Sequence, residues 1–196
     1  MRMKKQIIFL LILACSTTLL AETGTKANRS FYNQLLLGGG SSIKGFGDTE
    51  EEVRTIDLVW RHARIFQEKD ADPSHGHREL WIEAPFSFLV SDSDNQDSND
   101  IGLVGLNFLF AWMFSATDIG QPYVLAGGGP VLILADVDGV GSDLCGNYQA
   151  GCGMRLNSKN DHAVNLEIRY HHISNLGLAN PNVPLNSIKL FIGFTF

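Results

Sequence analysis

Beyond residue 21 apolar and polar residues alternate with a period of two over stretches of about ten, the pattern of strands that have one greasy and one polar face. Eight such segments can be placed, at residues 30–38, 53–66, 77–90, 101–115, 121–134, 147–157, 162–174 and 186–196. The last is the clearest: Ile188, Leu190, Ile192, Phe194 and Phe196 share one face, while Lys189, Gly193 and Thr195 point the other way. The fourth is almost continuously apolar, and only its place in the series identifies it as a strand. Polar connections alternate in character, one set at 39–52, 91–100, 135–146 and 175–185 and the other, shorter on average, at 67–76, 116–120 and 158–161. Together these features predict an all-β fold, an eight-stranded antiparallel outer-membrane β-barrel spanning residues 22–196, with its long loops outside and both chain ends on the periplasmic side. Phe196 supplies the terminal aromatic residue such barrels commonly carry. The interior of eight strands is only wide enough for its own side chains, which excludes an aqueous pore and sends any chemistry to an end or to the outer wall.

Charge narrows the picture further. Fifteen Lys and Arg against 21 Asp and Glu leave a formal charge of −6, which argues against a nucleic-acid binder. Arg2, Lys4 and Lys5 precede the apolar stretch 7–14, and Leu19-Leu20-Ala21 ends it, so residues 1–21 read as a secretory signal. Its removal takes away three basic residues and no acidic ones, lowering the charge from −6 to −9. Cys15 after Ile12-Leu13-Ala14 is a weaker alternative, a lipid-attachment pattern. The acidic run Asp48, Glu50, Glu51 and Glu52 reads as a solvated loop rather than a cation site. A bridge between Cys145 and Cys152 requires Cys145 to lie in a loop that folds back, because seven residues of extended strand span roughly 23 Å; spacing leaves this open. Neither cysteine has ligand neighbours at metal spacing, and His75-Gly-His77 reads as a polar turn. No metal and no cofactor are expected.

One segment holds candidate chemistry. In 164–174, Val164, Leu166, Ile168 and Tyr170 are apolar, whereas Asn165, Glu167, Arg169 and His171 are polar and take the lumen face. Parity then puts His172 and Ser174 on the lipid face at the outer rim, about 6–7 Å apart at Cα, within reach of a base and a nucleophile. Asn186 has the parity of Ile188 and Leu190 and faces the same patch. An amide in that place can orient an imidazole but supplies no negative charge. The plain alternative is a pair of interfacial polar residues without chemistry.

The run His172-Ile-Ser174-Asn175-Leu-Gly177, continued by Pro181-Asn182 and Asn186, resembles the signature of the PagL-type lipid A 3-O-deacylases. Looser similarity extends through Pro122-Tyr123, Gly127-Gly128-Gly129 and Gly151-Cys-Gly153. The resemblance implies a serine esterase in the bacterial outer membrane, removing an ester-linked hydroxyacyl chain from the lipid A of lipopolysaccharide. It implies Ser174 as nucleophile, His172 as general base, and Asn175, Gly177 and Asn182 as candidates for positioning the loop and the oxyanion. The departure is at Asn186, where the best-known members have glutamate, so slower hydrolysis is expected. Two rivals stay open, a catalytically silent surface barrel and an esterase of glycerophospholipids. A homodimer is compatible with the pattern and not required by it.

Overall fold

The computed structural model describes residues 31–50, 52–66, 76–90, 101–134, 139–156 and 162–196. The expected signal segment 1–21, Cys15 and His75 lie outside the described residues. Among the described residues nine strand segments, all paired antiparallel, close into a barrel of eight staves. They are β1 (Phe31–Ser42), β2 (Arg54–Phe66), β3 (His77–Val90), β4 (Ile101–Gly105), β5 (Asn107–Met113), β6 (Gln121–Ile133), β7 (Leu144–Leu156), β8 (Val164–Ser174) and β9 (Leu185–Thr195). Each stave pairs with its neighbours in sequence, β4 and β5 together forming the fourth between β3 and β6, and β1 pairing with β9 closes the cylinder.

Two departures from the expected segments have local causes. The fourth stave is interrupted at Leu106, yet its pairing with β3 and β6 keeps one register across the gap, shifting only further on, between Ser87 and Phe88. That register sets Gly105 beside Pro85 and Leu106 beside Pro130, and proline has no N–H to offer the ladder. β1 runs on to Ser42, four residues past the predicted end at 38. A Cβ at Gly38 would meet Leu190 O at 2.3 Å and one at Gly40 would meet Ile188 O at 2.1 Å, so glycine permits the close seam with β9.

Inward side chains fill the lumen in layers. Toward the short-turn end lies an apolar cluster that includes Trp81, Leu109, Met113 and Tyr123, and toward the long-loop end another that includes Leu103, Val131, Ile173 and Leu185. Between them sit four fully buried charges. Arg61 contacts Glu83 at 2.7 Å and Glu167 at 2.8 Å, and Arg169 contacts the same two carboxylates at 2.9 and 2.5 Å. Each charge thus has two opposite partners, the condition under which buried ions are tolerated, and removal of one partner costs about 3–5 kcal/mol. Glu167 belongs to this lumen network, consistent with the parity of its strand. The outer wall is the reverse: Leu37, Phe110, Trp112, Leu166, Ile168 and Leu190 are exposed, an apolar band suited to hydrocarbon. Cys145 and Cys152 both lie in β7, an odd number of residues apart and therefore on opposite faces. Cys145 is buried, Cys152 is exposed, and both are free thiols.

Candidate active site

His172 and Ser174 stand at the end of β8, on the outer face: their neighbours Arg169, His171 and Ile173 are buried, whereas Leu166 and Ile168 are 46% and 45% exposed. Eleven residues of strand, rising roughly 3.3 Å each and tilted by about 40°, climb about 25 Å, the height of the apolar band. Ser174 therefore sits at the band's outer edge, where polar headgroups begin.

Asn186 lies directly across from His172 in the β8–β9 ladder. Its Oδ1 is 2.8 Å from His172 Nδ1 and also accepts from the Tyr170 hydroxyl at 2.5 Å. Its Nδ2 faces Gly47 O at 2.7 Å, Thr49 Oγ1 at 2.9 Å and Phe46 O at 3.1 Å. Carbonyl oxygens only accept, so the amide orientation is dictated by its surroundings, and Oδ1 must accept from His172 Nδ1–H. The proton on Nδ1 leaves Nε2 as the basic nitrogen. On the other side Tyr148, the ladder partner of His172 in β7, stacks on the imidazole with ring centroids 4.3 Å apart and planes 19° apart.

The sequence placed Asn186 on an open lipid-facing patch. Its side chain does project outward, yet the residue is only 2% exposed, because the turn between β1 and β2 folds over it. Ser174 is partly exposed and faces Gly146 across the ladder, where the Leu176 side chain comes within 3.0 Å of the place a Cβ would take. Among the described residues the Ser174 hydroxyl has no hydrogen-bond partner, His172 included. Contacts of this kind commonly tighten once substrate is bound.

Asn175, Gly177 and Asn182 are brought together by the loop after β8, and they act first on that loop. Asn175 Nδ2 donates to Ala179 O and Pro181 O, its N–H donates to Asn182 Oδ1, and its Oδ1 accepts from Gly177 N–H at 2.9 Å. The donors of Asn175 and Gly177 considered for an oxyanion are thus already engaged, while Asn182 Nδ2 has no partner among the described residues. Leu176 and Gly177, at φ 59° and 76°, make the tight bend. A bridge between Val140 and Asn182 ties the loop to the one after β6. Five site residues escaped the sequence reading: Tyr148, Tyr170, Phe46, Gly47 and Thr49. The two tyrosines share outward parity with His172, a readable signal. The turn residues carried none beyond the Gly45-Phe46-Gly47 spacing, since their role depends on where the turn folds.

A closed barrel with an apolar outer wall carries a serine, an imidazole and an orienting amide together at its rim. The family profile of the lipid A 3-O-deacylases (PagL) matches residues 54–195, a span that holds all three groups. The chain belongs to that family. The solved structure of the outer membrane enzyme PagL is similar, with a TM-score of 0.58 and 22% sequence identity, covering 82% of this chain and 97% of that one. Neisserial surface protein A (NspA) is similar with a TM-score of 0.52 and 14% identity, covering 85% and 96%. At these identities the likeness shows the barrel fold alone. No curated protein matches the chain. Family and fold together make it a barrel of the bacterial outer membrane.

Proposed function

We propose that this chain hydrolyses the ester joining a 3-hydroxyacyl chain to the glucosamine of lipid A, through an acyl-enzyme on Ser174. The observation that carries the reading is the Asn186 Oδ1 to His172 Nδ1 contact, which fixes the neutral imidazole in the tautomer with Nε2 as its basic nitrogen, two residues from a serine at the lipid-facing rim. As Ser174 Oγ attacks the ester carbonyl, Nε2 takes its proton; collapse of the tetrahedral intermediate breaks the acyl C–O bond, and Nε2–H protonates the departing sugar oxygen. Water then attacks the acyl-serine with His172 again as base, releasing the 3-hydroxy fatty acid and restoring the serine. Asn182, with its Nδ2 unengaged, is the remaining side-chain candidate for the oxyanion. Lipid A reaches this site by lateral diffusion, and the height of Ser174 suits the ester bonds of an outer-leaflet glycolipid.

The test is mass spectrometry of lipid A from cells expressing the wild-type protein, Ser174→Ala or His172→Ala, each checked for the heat-modifiable migration of a folded barrel. Acyl loss is expected with the wild type alone. Unchanged deacylation in either variant refutes the mechanism, and acyl loss from phospholipids instead of lipid A refutes the substrate.

A further inference from the structure

We propose that the turn between β1 and β2 is a positioning element of this site, acting through Thr49 and the carbonyls of Phe46 and Gly47, and that it commits the third position to a neutral amide. The inference rests on the reading of His172 as general base. Within residues 43–50 every position is exposed except Thr49, at 2%. Its Oγ1 accepts both from Asn186 N–H and from Asn186 Nδ2, each at 2.9 Å. Asn186 O in turn accepts from Ile43 N–H at 3.0 Å, so the turn grips main chain and side chain alike.

The turn is shaped in advance for this contact. Gly45 N–H donates to Thr49 O at 2.8 Å and Phe46 N–H to Ile43 O at 3.0 Å, while Gly45, Gly47 and Asp48 adopt φ of 81°, 52° and 63°. A Cβ at Gly47 would stand 3.0 Å from Asn186 Nδ2, so glycine there serves both the conformation and the approach. An amide turned by 180° would set Oδ1 against two carbonyl oxygens and Nδ2 against Nδ1–H. The turn therefore selects one orientation, and with it the imidazole tautomer whose Nε2 is basic. Thr49 touches no reacting atom; it acts through Asn186.

The experiment compares Thr49→Val, which keeps shape and removes the acceptor, with Thr49→Ser, which restores it. Thr117→Val is the control, since that hydroxyl closes the turn before β6 by bonding Gly120 O far from the site. Lipid A deacylation is measured in detergent micelles, and the His172 tautomer is read from imidazole 15N shifts, assigned with His172→Ala. Expected are a fall of about tenfold in kcat for Thr49→Val with KM within about twofold, on the scale of the two hydrogen bonds lost to Asn186. Recovery of most of that rate in Thr49→Ser, no change in Thr117→Val, and a shift of the His172 tautomer mixture in Thr49→Val complete the expected pattern. Wild-type kcat and an unchanged tautomer in Thr49→Val overturn the inference, as does equal loss in Thr49→Ser. Should Thr49→Val not fold, Thr49→Ala takes its place. A wild-type protein without deacylase activity refutes the proposed function, and the tautomer comparison still decides the role of the turn.

Discussion

Asn186→Asp is nearly isosteric and exchanges the orienting amide for the charge that a carboxylate orienter would carry. The substitution removes both N–H donors and sets a carboxylate oxygen where Nδ2 now lies, 2.7 Å from Gly47 O and 3.1 Å from Phe46 O. The Phe46 and Gly47 carbonyls lose their donor at about 0.5–1.5 kcal/mol each, and repulsion adds in the same direction, so opening of the turn becomes easier by about 2–4 kcal/mol. Against this stands attraction between the carboxylate and the imidazolium formed during reaction. At 4 Å that is about 1 kcal/mol in water and about 4 kcal/mol at an effective dielectric of 20, and the partly exposed His172 lies toward the weaker limit. The turn therefore yields before the charge can help, and the carboxylate is left unanchored. Lys44 provides the assay, because trypsin can cut after it only when the turn opens. Nicking at Lys44 in Asn186→Asp is expected to rise by roughly 30-fold or more, with deacylation at or below the wild-type rate. Wild-type resistance at Lys44 together with faster deacylation would refute the reasoning.

The lumen and the outer wall yield two further predictions. Glu167→Ala leaves Arg61 and Arg169 sharing Glu83 alone, and urea unfolding in vesicles is expected to show a loss of about 3–5 kcal/mol; a loss under 1 kcal/mol would mean that the quartet is not the tightly coupled unit its distances describe. A maleimide added to the folded protein in micelles is expected to modify Cys152 and spare Cys145, read by peptide mass spectrometry; equal labelling would contradict their placement on opposite faces.

Parity made much of the fold legible. Polar side chains at odd positions in 165–171 and apolar ones at even positions in 164–170 were enough to assign lumen and lipid faces, because one step along a strand reverses the side chain. The same rule set His172, Ser174 and Asn186 on the outer wall, and it separated Cys145 from Cys152 once both fell in one strand. Interruption of the fourth stave was not legible, since it arises from Pro85 and Pro130 on different neighbours meeting the same place. Nor was the strand character of Gly39 and Gly40, which the sequence reading assigns to a loop and which the seam with β9 requires instead.

The candidate site divides along the same line. Local sequence determined that His172 and Ser174 share one face two residues apart, together with the asparagine-rich loop that follows, because both depend only on strand period and chain neighbours. What tertiary structure alone decided is the environment of Asn186: a threonine within an acidic run, 137 residues away in sequence, is the group that holds it. Hydrogen bonds between distant segments depend on where a turn comes to rest, and no periodicity along the chain encodes that.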